Sequence, residues 1–205
     1  MNPPIKANDT IKYQYSIIIY MKDSKSGKDG QRLTIWYSSG RSSFGIILVT
    51  FTERGICGVS TLAPADSIPE YLKKEYPDKN VEKGEISDQY IDGIIKTLDG
   101  SKGNFNIDVE GTDFQKKVWG AISSIPYGST ATYSQIAEQI GRPSAVRAVA
   151  NACGKNPVPL IIPCHRVIRK NGGLGGYGLG IDRKKRLLEH EKSFKEMREG
   201  NQRSS

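Results

Sequence analysis

The sequence predicts an α+β protein in two parts, an N-terminal α/β half followed by a mainly helical half. Three observations carry that prediction. Tyr13, Tyr15, Ile17 and Ile19, and then Leu33, Ile35 and Tyr37, alternate with their neighbours as half-buried strands require. From Thr112 onward the apolar residues recur at helical spacing, interrupted at Pro126, Gly128 and Gly141. Charge divides unequally as well. The 205 residues carry 30 Lys and Arg against 22 Asp and Glu, a formal net charge of +8. Residues 1–109 hold 14 basic and 14 acidic groups, so residues 110–205, with 16 and 8, hold the whole excess. A basic half beside a neutral one fits a polyanion-binding unit with a neutral companion, or a basic surface kept for solubility.

Taken in order, the turn chemistry of residues 26–30 separates the first two strands. Phe44 to Phe51 is an apolar run of strand length, and Glu53-Arg54-Gly55 turns into a short strand at 56–60. Pro69 suits the first turn of a helix capped near Ser67 or Ile68 and ending before Pro77. A second helix from Ser87 to Leu98 lines up Tyr90, Ile91, Ile94, Ile95 and Leu98. Residues 99–112 read as a connection holding one short strand, Phe105, Ile107 and Val109. The predicted division is therefore 1–109, 110–196 and a disordered tail at 197–205.

In the second half, Thr112 or Asp113 caps a helix bearing Phe114, Val118, Ile122 and Ile125. A second helix starts near Thr132 or Tyr133, turns Ile136, Ala137 and Ile140 inward, and stops at Gly141. Pro143 and Ser144 open a third that runs to Cys153. Two short helices about a glycine turn outline a helix-turn-helix, which many helical domains share. Ser144, Ala145, Ala148, Ala150, Asn151 and Ala152 leave Arg147 as the one long projecting side chain of the third helix. Such a surface suits close approach to a groove, or tight helix packing.

The chemistry concentrates in Asn156-Pro157-Val158-Pro159-Leu160-Ile161-Ile162-Pro163-Cys164-His165-Arg166-Val167. Its prolines exclude helix and impose an extended path. A cysteine with a base and positive charge nearby can be held as the nucleophilic thiolate, whereas an isolated Cys-His pair is more often structural. Adjacent residues of an extended chain face opposite ways, so proton transfer between Cys164 and His165 needs a bridging water or a bend after Pro163. Six glycines in residues 172–180 surround Tyr177, as a close-approach loop for a planar ligand or as a flexible hairpin. Asp182 caps a last helix, on which Glu191 could orient His165.

Together, Phe-Gln-Lys-Lys-Val-Trp (114–119), Thr-Tyr-Ser-Gln-Ile-Ala (132–137), Ala-Val-Arg-Ala-Val (145–149), the segment 156–167, Gly-Gly-Tyr-Gly (175–178) and Leu-Leu-Glu-His-Glu (187–191) resemble the methylated-DNA–protein-cysteine methyltransferases, or O6-alkylguanine-DNA alkyltransferases. The resemblance covers residues 112–192 and extends weakly through the first half. It implies a ribonuclease-H-like domain followed by a winged helix-turn-helix-like domain. It implies stoichiometric, irreversible transfer of an alkyl group from O6 of guanine, with O4 of thymine as a second position, to Cys164.

By the same resemblance His165 takes the thiol proton through a water, Glu191 holds the imidazole, and Tyr133 donates to the departing base. Val167 and Cys164 offer carbonyls to the guanine amino group, Gly178 N–H faces O6, and Tyr177 forms a pocket wall. Asn156 ties the turn beneath the site and Lys184 lies near the sulfur. A flipped nucleotide is required, with Arg147 filling the stack and Ser144, Ala148 and Asn151 lining the minor-groove contact. The implied partner is double-stranded DNA containing O6-alkylguanine, bound by a monomer without cofactor or membrane.

The sequence departs from relatives at two points. Some carry an N-terminal zinc site, but residues 1–109 contain only Cys57 and no histidine. Gly178 stands where relatives carry serine, which removes a side-chain contact to O6. Cys153 reads as core. No run of about 18 uncharged apolar residues exists and no leader pattern opens the chain. A mean hydropathy of −0.49 fits an ordinary soluble globular chain, and three cysteines, too few for a complete disulfide framework, fit a reducing cytoplasm, or a nucleus in a eukaryote. Competing readings are a lesion-binding protein that flips the base and recruits other factors, which would lack the acceptor cysteine, and a helix-turn-helix regulator with a redox-sensitive cysteine.

Overall fold

Gly55 makes the tight turn on which the N-terminal sheet depends. Its φ is +152°, and a Cβ there would stand 2.5 Å from the Asn106 carbonyl oxygen, so only glycine lets the two backbones approach. The computed structural model describes residues 17–19, 34–63, 67–84, 88–101 and 103–202. Side chains are described within these ranges except at 17–19, 88–89 and 198–202. Expected features at Tyr13, Tyr15, residues 26–30, Leu33 and Ser87 lie outside the described residues. The chain divides into two compact units, residues 1–91 with 104–110, and residues 92–103 with 111–205.

In the first unit, β1 (Ile17–Ile19), β2 (Thr34–Ser42), β3 (Gly45–Thr52), β4 (Gly55–Leu62), β5 (Asn80–Lys83) and β6 (Phe105–Ile107) form a mixed sheet in the order β1-β6-β4-β3-β2-β5. Strands β2, β3 and β4 form an antiparallel meander, with Trp36 opposite Phe51 and Val49 opposite Val59. The outer pairs β1–β6, β4–β6 and β2–β5 are parallel. Apolar β3 is central, with Ile47, Leu48 and Val49 buried. Strand β4 continues to Leu62, beyond the expected 56–60, because its pairing with β3 persists to Ile46.

Helix α1 (Ile68–Glu75) has Pro69 in its first turn, but Ser67 makes no side-chain cap. Helix α2 (Asp88–Thr97) contains the unit boundary and buries Ile91 and Ile94. Asp108 is buried and held by Thr52 Oγ1 at 2.6 Å and by Arg54 Nη2 at 2.9 Å. The sequence gives no sign of β5, which has only Val81 as an apolar residue.

The second unit begins with α3 (Asp113–Ser123), whose Thr112 and Gln115 close a reciprocal capping box. Val118, Trp119 and Ile122 are buried, and Trp119 Nε1 donates to the Ala152 carbonyl at 2.9 Å. After Gly128, β7 (Ala131–Thr132) leads into α4 (Tyr133–Gln139), capped by a second box of Thr132 and Gln135. Gly141 then reverses the chain at φ +71°. The third helix departs from its expected form: a 3₁₀ turn at Pro143–Ala145 precedes α5 (Val146–Gly154).

The small residues of α5 do not share one face. Ser144, Ala148 and Asn151 are exposed, but Ala152 is buried together with Val149 and Cys153. A 3₁₀ turn at Cys164–Arg166 runs into β8 (Val167–Ile168), which pairs in parallel with β7. Helix α6 (Ile181–Gln202) begins one residue before Asp182, so that carboxylate lies inside the first turn rather than at the cap. The helix also continues through residues 197–202, where the sequence suggests a disordered tail. Met197, Arg198 and Glu199 are good helix formers and favour the extension. Among the described residues, no helix is long and apolar enough to cross a membrane.

Candidate active site

The proline-rich segment reaches the centre of the second unit by a tight reversal. Leu160 is buried with φ +78°, an uncommon conformation for a branched side chain, and Ile162 N–H closes onto the Val158 carbonyl at 3.0 Å. Asn156, just after α5, ties the reversal together. Its side-chain oxygen accepts from Val158 N–H at 3.1 Å, and its Nδ2 donates to the Ile162 carbonyl at 2.7 Å and to Cys164 Sγ at 3.1 Å.

The segment is not extended throughout. Past Pro163 the backbone coils into the 3₁₀ turn, with Arg166 N–H donating to the Pro163 carbonyl at 2.9 Å. That bend buries Cys164, His165 and Arg166 together. Burial pushes the Cys164 thiol upward, while the Asn156 hydrogen bond and the Lys184 charge pull it down.

His165 Nε2 lies 2.7 Å from Glu191 Oε1. Burial alone would raise the Glu191 carboxyl. The hydrogen bond to His165 and the charge and hydrogen bonds of Arg166 outweigh it and hold the group at about 2. An ionised Glu191 can only accept, so His165 carries its proton on Nε2 and leaves Nδ1 as a bare acceptor. Desolvation lowers the His165 basicity, against the pull of Glu191. The ring is therefore neutral at rest.

Lys184 is fully buried and donates to the Val167 carbonyl at 2.6 Å, with the Gly176 carbonyl at 3.4 Å. It thus ties β8 to the glycine-rich stretch. Tyr177 in that stretch meets the His165 ring edge-on, with centroids 6.2 Å apart. Tyr133, at the start of α4, is half-buried and lies close to Gly175. Gly178 is exposed, with nothing within 4 Å of a Cβ built there.

The structure therefore gathers Asn156, Cys164, His165, Val167, Tyr177, Lys184 and Glu191 through direct contacts. Ser144, Arg147, Ala148 and Asn151 are all exposed, on the 3₁₀ turn and on α5. Cys153 is buried on α5, and burial with the neighbouring Cys164 raises its thiol to about 12. Cys57, Cys153 and Cys164 are all free. Among the described residues, no three His, Cys, Asp or Glu side chains gather as a metal site.

Sequence reasoning overlooked three contributors. Arg166 reads in sequence as positive charge beside the cysteine, yet its guanidinium donates to Glu191 and, from Nη1, to the Ile125 carbonyl at 2.8 Å. The cation acting on the sulfur is Lys184. Tyr127 lies beneath the Arg166 guanidinium, 5.4 Å from ring centroid to Cζ, and Gly128 N–H donates to Glu191 Oε2 at 3.0 Å. The Pro-Tyr-Gly helix stop was the available signal for these two, because it fixes where that backbone turns.

Residues 113–193 match the family described as 6-O-methylguanine DNA methyltransferase, DNA binding domain. The chain is 46% identical over 148 residues to the inducible methylated-DNA–protein-cysteine methyltransferase of Bacillus subtilis, covering 70% of this chain and 83% of that protein. It is 40% identical over 161 residues to the methylated-DNA–protein-cysteine methyltransferase of Methanosarcina acetivorans, covering 78% and 99% respectively. It spans about half the length, 47%, of the regulatory protein ada of Salmonella typhimurium, at 36% identity over 80% of this chain. A crystal structure of Mycobacterium tuberculosis OGT in complex with DNA aligns with a TM-score of 0.66 at 34% identity, covering 79% of this chain and 94% of that one.

Proposed function

The chain belongs to the methylated-DNA–protein-cysteine methyltransferases, and from that premise we propose that it repairs DNA by moving the alkyl group from O6 of guanine to Cys164, once and irreversibly. O4 of thymine is a second position with the same chemistry. The observation that carries this reading is the buried Cys164 beside a neutral His165, itself oriented by an ionised Glu191. That arrangement supplies a sulfur nucleophile, a base for its proton and an orienting carboxylate.

The sulfur attacks the alkyl carbon in line; the S–C bond forms as the C–O6 bond breaks, and the electron pair stays on guanine. The thiol proton passes through water to His165. Tyr133 and the Gly178 N–H meet the negative charge developing on the base. The carbonyls of Val167 and Cys164 receive the guanine amino group. No cofactor enters the step, and a thioether has no route back to thiol here, so one molecule serves one lesion.

The target base must leave the duplex to reach a buried sulfur. Arg147 fills the vacated stack, and the exposed Ser144, Ala148 and Asn151 allow α5 to enter the minor groove. The basic excess of residues 110–205 neutralises flanking phosphates. On this reading the second unit is a winged helix-turn-helix and the first a ribonuclease-H-like domain, in a monomer acting in the cytoplasm.

Incubation with duplex DNA containing O6-methylguanine, followed by digestion and peptide mass measurement, tests the proposal. A single methyl increment on the Cys164 peptide is expected. Its absence with lesion binding retained would leave a protein that only flips and marks the base. Cys164→Ala should abolish transfer and leave DNA affinity unchanged. Arg147→Ala should slow reaction with duplex DNA more than with the free alkylated base, and equal effects would remove its intercalating role.

A further inference from the structure

Two buried polar atoms beside the reactive sulfur, His165 Nδ1 and the Tyr177 hydroxyl, have no hydrogen-bond partner among the described residues. A buried polar atom left unpaired is destabilising, so the pair marks a place built to receive something polar. His165 cannot turn to relieve its own atom, because Nε2 is committed to Glu191 at 2.7 Å. Tyr177 is held from both sides. Its carbonyl accepts from Gly180 N–H at 3.0 Å, and the neighbouring Gly176 carbonyl lies 3.4 Å from the buried Lys184 amine. The two rings stand edge-on at 74° with centroids 6.2 Å apart. With the rings this close, one water hydrogen-bonded at about 2.8 Å to each group can serve both atoms.

Resting on the alkyl-transfer reading above, we propose that Tyr177 is a positioning residue: its hydroxyl and His165 Nδ1 together hold the water that takes the proton of Cys164. A pocket wall needs only the aromatic ring. The buried hydroxyl is what a wall does not explain. The water accepts from the Tyr177 O–H and from the Cys164 S–H, and donates one of its own hydrogens to Nδ1. On transfer the S–H bond breaks, its proton joins the water, and a water proton moves to Nδ1. The electron pair remains on sulfur, and the imidazolium keeps its Nε2–H on Glu191. Glu191 and Lys184 of α6 and Arg166 of the same turn are the other titratable or charged groups acting on the His165 ring, and Cys164 with Arg183 and Glu191 of α6 act on the Tyr177 hydroxyl.

The experiment uses the full chain with Tyr177→Phe, which removes the hydroxyl and keeps the ring. Methyl transfer from duplex DNA and alkylation of Cys164 by iodoacetamide are followed from pH 5.5 to 9.5. Transfer at pH 7 should fall about tenfold, the scale of one lost hydrogen bond. Both profiles should rise at higher pH than in the parent and converge with it at the alkaline end, where the thiol ionises without a relay.

Unchanged profiles, or an equal loss at every pH, would overturn the proposal and leave Tyr177 as a wall. Iodoacetamide needs no DNA. A parent protein that takes no methyl group from DNA therefore sinks the repair reading, while the iodoacetamide profiles still decide the relay. A crystal structure of the unreacted parent gives an independent check if the variant folds poorly. Density for a water within about 3.2 Å of both atoms is expected; a Tyr177 hydroxyl bonded to a protein group would contradict the assignment.

Discussion

Arg166 grips both carboxylate oxygens of Glu191 at once. Its Nε donates at 3.1 Å to Oε1 and 3.0 Å to Oε2, and Nη2 donates to Oε1 at 3.0 Å. Each residue is 4% exposed. This pairing separates the two tasks of the carboxylate. Glu191 stays ionised and fixes the His165 ring, while burial, and after it the Arg166 charge, hold His165 below its ordinary basicity.

Removing one partner of such a buried pair leaves an uncompensated charge. Arg166→Met, which keeps the stem and loses the guanidinium, is expected to destabilise the protein by about 3–5 kcal/mol. Urea denaturation of parent and variant measures the difference. A loss below about 1 kcal/mol would mean that Glu191 finds other donors and that Arg166 adds little.

Acid should attack the same point. The unfolded glutamate has the ordinary value of 4.5, and the folded one lies at about 2. A depressed carboxyl contributes stability that is present above 4.5 and lost as pH falls toward 2. His165 acts in the same direction, because its folded value is below the ordinary 6.5 and the unfolded chain takes up that proton first. Parent stability should therefore begin to fall below about pH 6.5 and fall further between 4.5 and 2. Glu191→Gln should be less stable at neutrality and show a shallower loss in the lower window. A parallel decline of parent and variant would contradict the assignment to Glu191.

Asn156 touches the sulfur as a donor, so the sign of its replacement matters. Asn156→Ala removes an N–H from Sγ and should slow Cys164 alkylation, by an amount on the scale of about 1.5–3 kcal/mol for a hydrogen bond to a charged group. Asn156→Asp keeps the acceptor for Val158 N–H but sets a carboxylate against a developing thiolate. Repulsion on the order of 4 kcal/mol at an effective dielectric of 20 makes it the slower variant by far. Iodoacetamide rates at pH 7 rank the three proteins, and equal rates for Ala and Asp would reduce Asn156 to a brace for the turn.

What could be read in advance followed the range of the interaction. Helix α3, its Thr112 cap and the inward Val118 and Ile122 depend on neighbours within a turn or two, and their signals are strong. Strand β5 depends on β2, with Val81 opposite Ile35, and its own four residues carry only one apolar side chain. The β7–β8 ladder pairs Thr132 with Ile168, too far along the chain for any local pattern to announce. The same holds at the site. The bend after Pro163 was one of two local solutions for Cys164 and His165, but whether Arg166 faces the sulfur or Glu191 is decided by where α6 packs. Small side chains are silent about burial, so the sequence leaves Ala152 open to groove contact or helix packing; it is buried, with its carbonyl accepting from Trp119 Nε1.

The glycine-rich stretch contains positions of opposite tolerance. Gly175 has φ +71°, and a Cβ there would meet the Tyr133 hydroxyl at 2.7 Å and its ring at 3.0 Å. Gly175→Ala therefore incurs about 1–2 kcal/mol of backbone strain and displaces the hydroxyl proposed to serve the leaving base. Gly178 has neither constraint, since nothing lies within 4 Å of its missing Cβ and its φ is not in the left-handed region. Gly178→Ala should stay within about 0.5 kcal/mol of the parent. Gly175→Ala should lose both stability and methyl transfer, with iodoacetamide alkylation of Cys164 spared. A Gly175→Ala protein that is destabilised yet transfers at the parent rate would show that the reaction does not need the Tyr133 hydroxyl where the glycine lets it sit.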